Sequence, residues 1–309
     1  MRPRLVVVAT LFLVGGIARG YVRSRTDKGV PIAWPGSCVW VQPDSAGSID
    51  LPIDTVLQVI DKSISNWQTV TLGAGCSYLK INRDAPAALE AHLDHINIIK
   101  FRSDKWCRPG EPNTPEMCYS PSAAAITTVF YTADGQIVDA DVELNQCNFT
   151  FVWLPSNVQP RSTGCGMAVQ TMDSDLENTL THELGHLQGL DHTCWDHVLP
   201  TAPLDDMGNP IPDCNDVLNH NVPPDEYQRI VQSTMFNFAT PGETIKRMPK
   251  TDDINGICGI YPSAKDPKSC MRPSPVQGGG CAVGARSGGL AFALMTLMVI
   301  LLVRRNRYY

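Results

Sequence analysis

The chain has 309 residues, a formal net charge of −6 at pH 7 and 11 cysteines. The negative charge, and the lack of a lysine- or arginine-rich run before the extreme C-terminus, leave no basic surface for nucleic acid, so a nucleic-acid-binding role is excluded. The span 31–262 is long enough for one domain with its own hydrophobic core, and no internal repeat is visible.

Residues 1–20 have the three parts of a secretory signal peptide. A positively charged start precedes an apolar run, and Ala18 and Gly20 provide a small-x-small cleavage site. The apolar run is too short for a permanent membrane span, which favours cleavage over anchoring. We therefore predict an exported protein whose mature chain begins near Tyr21 and opens with a lead segment at 21–34.

The next segments alternate between patterns typical of strands and of helices. Apolar, β-branched runs bounded by turn residues predict strands, and apolar residues that recur every three or four positions predict helices. The predicted elements are a strand at 38–41, an amphipathic helix at 52–67, strands at 96–101 and 126–131, a turn at 133–135 and a strand at 137–144.

The strand at 137–144 alternates acidic and apolar side chains. Asp139, Asp141 and Glu143 share one face by the period of two that a strand imposes, and apolar residues share the other. We interpret the acidic face as a solvated one, and the alternative is a calcium site.

A metal-binding helix is predicted at about 175–188. His182 and His186 are four residues apart, so on a helix their imidazoles lie on one face and can bind the same ion. The preceding acidic and amide residues at 173–178 offer helix caps, and leucines follow at helical spacing. Two ligands are then fixed by the helix alone.

The residues that follow add a third ligand and a base. Gly189 is able to take the positive φ that ends the helix, and the turn brings His192 back towards the metal. Three neutral imidazoles leave one tetrahedral position open for water, as in catalytic zinc sites. The metal lowers the pKa of that water towards about 7, and Glu183 is placed to accept its proton. An HExxH segment alone also occurs in ordinary helices.

With HExxHxxGxxH at 182–192, the chain resembles the metzincins, a clan of zinc endopeptidases in which this motif is followed by a methionine turn. Residues 233–236 match that turn. The resemblance gives Met235 the role of a hydrophobic base beneath the three imidazoles, without metal contact. Apart from the resemblance, Met235 is one of ten methionines that could simply fill a core.

Two further stretches resemble the matrixin branch of this clan. Residues 251–262 resemble its closing helix, written DDxxGIxxxY, and 134–145 resemble a stretch whose strand lies along the cleft. The resemblance covers 35–262 and implies an α+β metzincin (zincin-like) catalytic domain with a mixed twisted sheet, a zinc-binding active-site helix and a C-terminal helix. It also implies that the strand at 137–144 is an edge strand that pairs with extended substrate.

The chain departs from the matrixin pattern after the third histidine. The segment between His192 and Met235 is longer than in vertebrate matrixins and contains Cys194 and Cys214, which predicts a disulfide-pinned insertion. Thr193 stands where matrixins have serine and astacins have glutamate. Substrate preference and placement below the clan are therefore open.

The cysteines predict an oxidising compartment and a disulfide framework. Ten of the eleven lie before residue 271 and can pair completely, which leaves Cys281 as the odd one. The short loops 107–118 and 194–214 are the predicted disulfides. No C-x-x-C pair is present, so we predict no zinc site made of cysteines.

The C-terminal tail has three parts. A stalk at 263–287, rich in Pro, Ser and Gly, contains Cys281, and the segment 288–309 is an apolar run with a basic end. This order resembles the MYXO-CTERM sorting signals of myxobacterial surface proteins. That resemblance implies processing and lipid attachment at Cys281 with removal of the apolar segment. The alternative is a plain membrane anchor, which has the minimum length for a span.

We expect a monomeric protein at the cell surface, held at the membrane by its tail. The leading hypothesis is a zinc endopeptidase that acts on proteins or peptides, with one zinc ion bound by His182, His186 and His192 and with Glu183 as general base. One alternative is a non-catalytic binding protein with a structural zinc, which would be free to lose Glu183. Another is a zinc hydrolase with a non-peptide substrate.

Overall fold

The computed structural model describes residues 20–111, 114–155, 163–165, 167–168 and 173–272. The predicted signal peptide up to residue 19, Cys281 and the apolar tail lie outside the described residues. The described strands are β1 (Val22–Arg23), β2 (Cys38–Pro43), β3 (Lys80–Arg83), β4 (Asn97–Arg102), β5 (Cys107–Arg108), β6 (Met117–Cys118), β7 (Ala125–Tyr131), β8 (Ile137–Asn145), β9 (Thr150–Val152), β10 (Thr163–Gly164), β11 (Met167–Ala168), β12 (Asp173–Asp175) and β13 (Leu190–Asp191). The described helices are α1 (Ile53–Val70), α2 (Leu176–Leu187), α3 (Cys214–Leu218), α4 (Pro224–Gln232) and α5 (Thr251–Ile260), with 3₁₀ turns at Ile245–Arg247 and Ser263–Lys265.

The principal sheet has five strands in the order β3-β2-β4-β8-β7. The first four run parallel to their neighbours, whereas β7 runs antiparallel to β8. The short turn at 132–136 joins β7 and β8 into a hairpin, which makes one edge of an otherwise parallel sheet antiparallel. The mixed sheet and the helices are compatible with the predicted α+β class.

The predicted elements occur where the sequence patterns place them, but one strand has a different position in the sheet. The prediction that 137–144 is an edge strand is wrong, because β8 lies between β4 and β7. The edge strand on this side of the sheet is β7, which comes earlier in the chain. Periodicity shows which residues share a face of a strand but does not show which strands flank it.

The acidic face of β8 is also not solvated. Asp139, Asp141 and Glu143 are all 0% exposed, which corrects the prediction of a solvated face. Glu143 is held by two arginines, with Arg108 Nη2 2.6 Å and Arg102 Nε 2.7 Å from its carboxylate oxygens. The last residue of β4, Arg102, and Arg108 in the chain that follows it supply the counter-charges that burial of a carboxylate requires.

The other two carboxylates of this face accept backbone hydrogen bonds. Asp139 Oδ2 accepts the N–H groups of Asp94 and His95, each at 2.8 Å, and Asp141 Oδ1 accepts the N–H of Ile98 at 3.2 Å. Burial still raises the pKa of Asp139 to about 6. Burial, followed by the nearby charge of Asp139, raises the pKa of Asp141 well above its usual range. Burial therefore shifts the titration of both side chains towards the protonated form.

The main hydrophobic core lies between the principal sheet and helices α1 and α2. The Trp67 side chain is fully buried where the two helices meet, and its Nε1–H donates to the Thr181 carbonyl of α2 at 2.8 Å. Replacement of a tryptophan in such a place by alanine typically costs about 3 to 5 kcal/mol. The packing of α1 thus fixes the position of α2 relative to the sheet.

The ten cysteines before residue 271 form five disulfides. Two of them, Cys107–Cys118 and Cys194–Cys214, confirm the pairs predicted from the sequence. The other three join Cys38 to Cys270, Cys76 to Cys258 and Cys147 to Cys165.

The Cys38–Cys270 disulfide holds the chain after α5 against β2. The Ser37 N–H also donates to the Ser269 carbonyl at 2.8 Å, so the described chain stays attached to the domain well past residue 262. In the described part of the chain, none of the helices is both long enough and apolar enough to cross a bilayer.

Candidate metal centre

The central helix of the site, α2, is fixed at both ends. The Asp175 side chain accepts the N–H of Asn178 at 2.9 Å and so caps the first turn. Gly189 adopts a φ of 93°, the left-handed conformation that the sequence predicts for it, and the chain turns there. One stripe of the helix is fully buried in the core, namely Leu176, Leu180, Leu184 and Leu187.

The three predicted histidine ligands come together beside this helix. His186 Nε2 lies 3.1 Å from Nε2 of His182 and 3.1 Å from Nε2 of His192. Zinc–nitrogen bonds at tetrahedral angles place ligand nitrogens about 3.3 Å apart. The spacing and the chemistry of the three donors therefore fit one metal ion with a coordination position left for another ligand.

The outer ring nitrogens of the three imidazoles have acceptors of different kinds. Backbone carbonyl oxygens of Thr234 and Leu190 lie 2.6 and 2.9 Å from Nδ1 of the first and second histidines. The third, His192, has its Nδ1 2.9 Å from a carboxylate oxygen of Asp196. With the proton on Nδ1 in each ring, the lone pair is on Nε2, where the three rings converge.

Glu183 lies next to the three imidazoles and is only 5% exposed. The hydroxyl of Thr127, on the edge strand β7, donates to Glu183 Oε2 at 2.6 Å. Burial raises the pKa of Glu183 to about 7, although the hydrogen bond from Thr127 acts in the opposite direction. The carboxyl group is thus oriented by one neighbour and is able to hold or release a proton near neutral pH.

A cleft of about 360 Å³ runs past these side chains. We define the cleft by its walls, which are β7 on one side and α2 with the segment 236–243 on the other. In the described part of the chain, no strand pairs with the outer edge of β7. The outer backbone edge of β7 therefore borders the cleft beside the three histidines and Glu183.

Met235 packs below the same helix turn. It is 1% exposed, and a Cβ placed on Gly185 would lie only 2.2 Å from its sulfur atom, so the helix accepts the thioether only because residue 185 is glycine. Asp253, in the predicted closing helix, holds the turn by accepting the Ser233 hydroxyl at 2.6 Å and the Thr234 N–H at 2.9 Å.

Two residues that contact the site, Thr127 and Asp196, were not predicted from the sequence. Thr127 lies 56 positions before Glu183, and the strand pattern carried no sign that it faces a carboxylate. Asp196 was also missed, although its position four residues after His192 in an otherwise irregular segment was a usable signal.

One other group of side chains has ligand atoms close enough for a metal among the described residues. It consists of Cys107, Glu116 and Cys118. The two cysteines form a disulfide with each other, so their sulfur atoms are not thiolate donors. The three histidines are therefore the better metal site.

Comparison with known proteins adds no further assignment. No protein-family model matches the chain. A comparison with curated proteins gives no match either. The functional conclusion depends on the residues of the site and on their geometry.

Proposed function

We propose that this protein is a zinc-dependent endopeptidase with a metzincin-type catalytic domain, matrixin-like within that clan. The observation that carries the proposal is the convergence of three imidazole Nε2 atoms, 3.1 Å apart in two of the pairs, beside a buried glutamate. Burial raises the pKa of this glutamate to about 7, and a carboxyl group with such a pKa beside convergent metal ligands is typical of a catalytic acid or base.

The chemistry divides between the bound ion and the side chains of the chain. His182, His186 and His192 would hold a zinc ion, which would supply the Lewis acid needed to acidify water and polarise a carbonyl group. Glu183 accepts the proton of the attacking water and passes it to the amine that leaves when the peptide bond breaks. Thr127 holds the Glu183 carboxylate in place through its 2.6 Å hydrogen bond.

The edge strand β7 supports a peptide as the substrate. Its outer backbone edge borders the cleft, so an extended peptide can add to the sheet by main-chain hydrogen bonds. Such binding is largely independent of the peptide's side chains. It also brings a backbone carbonyl of the peptide beside Glu183, because Thr127 belongs to the same strand.

Cleavage of a diverse peptide library by the full chain tests the proposal. We expect cleavage that stops when a zinc chelator is added and returns with added zinc. The variant Glu183→Ala should lose at least about a hundredfold in kcat/KM, because general-base catalysis contributes on the order of 10² to 10⁴. Its zinc content should stay at one equivalent, because Glu183 is not a ligand.

Other outcomes separate the competing functions. A folded protein that binds zinc but cuts no peptide supports a surface binding protein with a structural zinc. Cleavage of small esters or amides without cleavage of peptides supports a hydrolase with a non-peptide substrate. Equal peptide cleavage by the native protein and Glu183→Ala contradicts the proposed mechanism outright.

A further inference from the structure

The third histidine differs from the other two in its outer partner. Two of the three Nδ1 atoms face neutral backbone carbonyl groups, whereas Nδ1 of His192 faces the Asp196 carboxylate at 2.9 Å. An ionised carboxylate is acceptor-only, so it requires the proton on Nδ1 and leaves the lone pair on Nε2. A carboxylate partner also makes an imidazole a stronger donor to a metal.

Asp196 is itself held in a fixed orientation. Its second oxygen, Oδ1, accepts the N–H of Val198 at 3.1 Å, so both carboxylate oxygens have a partner. The side chains of Asp196 and His192 are each only 15% exposed, which reduces the screening of their interaction by solvent.

The insertion after the third histidine provides the support for this carboxylate. Trp195 exchanges two backbone hydrogen bonds with the far side of the insertion, from its N–H to Pro212 at 2.8 Å and from the Cys214 N–H to its carbonyl at 3.0 Å. The Cys194–Cys214 disulfide joins the same two segments. Asp196 directly follows Trp195. The residues that join it to His192 are therefore held in place by the disulfide and by these two backbone hydrogen bonds.

We propose that Asp196 is a positioning residue that fixes the tautomer and orientation of His192 for metal binding, and that the disulfide-pinned insertion holds Asp196 in place. This inference rests on the proposed zinc site. It assigns a role to a segment that the sequence marks only as long and cysteine-containing.

Zinc affinity of the full chain, measured by competition with a chromophoric chelator, tests the inference. We expect Asp196→Ala to raise the zinc Kd by about tenfold to a hundredfold, the usual effect of losing such a partner. Asp196→Asn should raise it less, because the amide oxygen still accepts from Nδ1. The matched control Asp216→Asn removes one exposed carboxylate from the same insertion and should leave the Kd within twofold of the native value.

A spectroscopic measurement separates positioning from a general effect on the fold. Cobalt substitution should give a visible absorption spectrum that changes in Asp196→Ala and stays unchanged in Asp216→Asn, while near-ultraviolet circular dichroism shows native packing in both. If Asp196→Ala does not fold, Asp196→Asn carries the test with an expected rise in Kd of at least threefold.

The role of the insertion is tested by a double-mutant cycle. The paired substitution Cys194→Ser with Cys214→Ser should raise the zinc Kd. Adding Asp196→Ala to this pair should raise the Kd little further, because the disulfide acts on zinc binding through Asp196. Fully additive losses would overturn the role of the insertion.

The zinc affinities also separate the role of Asp196 from the proposed function. If the native protein binds one equivalent of zinc, and Asp196→Ala and Asp196→Asn bind it equally tightly, the role of Asp196 is overturned and the proposed function stays intact. A native protein that binds no zinc would overturn both.

Discussion

At the scale of single residues, the site depends on polar groups whose partners come from distant parts of the chain. Glu183 is buried, and its carboxylate is oriented because the Thr127 hydroxyl of strand β7 donates a hydrogen bond to it. A hydrogen bond to a charged group contributes about 1.5 to 3 kcal/mol when it is formed in such surroundings. Removal of the Thr127 hydroxyl therefore tests the role of Glu183 more specifically than removal of a histidine, because all three metal ligands remain.

We expect Thr127→Val to lower kcat/KM for peptide cleavage by about tenfold to a hundredfold, the equivalent of that hydrogen-bond energy. Thr127→Ser keeps the hydroxyl and should retain most of the activity. Steady-state kinetics on one peptide substrate, with zinc content measured in parallel, provides the comparison. Activity of Thr127→Val within twofold of the native value contradicts a role for this hydrogen bond.

The buried carboxyl of Asp139 predicts a specific dependence of stability on pH. Its pKa is about 6 in the fold and about 4 in an unfolded chain. Because the fold raises this pKa, the group favours the folded state at low pH, and the favourable contribution is lost as the pH rises from about 4 to above 6.

Asp139→Asn should therefore change stability differently at the two ends of this pH range. The difference in free energy of unfolding between the variant and the native protein should become more favourable to the variant by on the order of 2 to 3 kcal/mol when the pH is raised from 4 to 7.5. Urea unfolding of both proteins at both pH values measures this difference. The exposed Asp134, whose pKa is lowered chiefly by the Thr132 hydroxyl, gives the control, because Asp134→Asn should shift in the opposite direction. A difference for Asp139→Asn that does not vary with pH would count against the raised pKa.

At the scale of elements, helix α2 and the turn at 233–236 are packed without space for an additional carbon. Gly185 lies on the helix where the Met235 sulfur makes contact, and Trp67 of α1 lies beside it, 3.1 Å from the place of a Cβ. Glycine weakens a helix interior by about 1 kcal/mol relative to alanine, so this position is kept for close approach rather than for helix stability.

Gly185→Ala should destabilise the protein by about 1 to 3 kcal/mol, because the strain of overpacking exceeds the gain in helix propensity. In a Met235→Ala background the same change should cost less, since the sulfur that it meets is gone. Urea unfolding of the two single variants and the double variant gives the coupling energy. If the cost of Gly185→Ala is equal in both backgrounds, the two residues do not share this contact.

At the scale of the whole molecule, disulfides connect segments that are far apart in the chain. Cys38–Cys270 and Cys76–Cys258 tie the start of the principal sheet to α5 and to the segment that follows it. Since Cys76–Cys258 already closes most of the chain, the Cys38–Cys270 bond adds a loop formed only by 38–76 and 258–270.

On the chain-entropy argument, the paired change Cys38→Ser with Cys270→Ser should lower the free energy of unfolding by about 4 kcal/mol. The control pair Cys107→Ser with Cys118→Ser opens a much shorter loop and should cost roughly 3 kcal/mol. Chemical unfolding of both variants tests the order. A larger loss in the control pair contradicts the dependence on loop length for this protein.

The sequence by itself determined the local parts of the site. His182, His186, Glu183 and Gly189 lie within eight residues, so helical spacing and one glycine turn fix their relative positions before any long-range contact forms. Periodicity in the same way predicted α1, α2 and four of the five principal strands to within three residues, whereas β3 (Lys80–Arg83) was not predicted.

Only the tertiary structure decided what surrounds those residues. It placed β7 rather than β8 at the edge of the sheet, buried Asp139 and Asp141, and brought Thr127 to Glu183. The physical reason is that strand order and the covering of a sheet face depend on pairings between segments far apart in sequence, whereas periodicity reports only which side chains share a face.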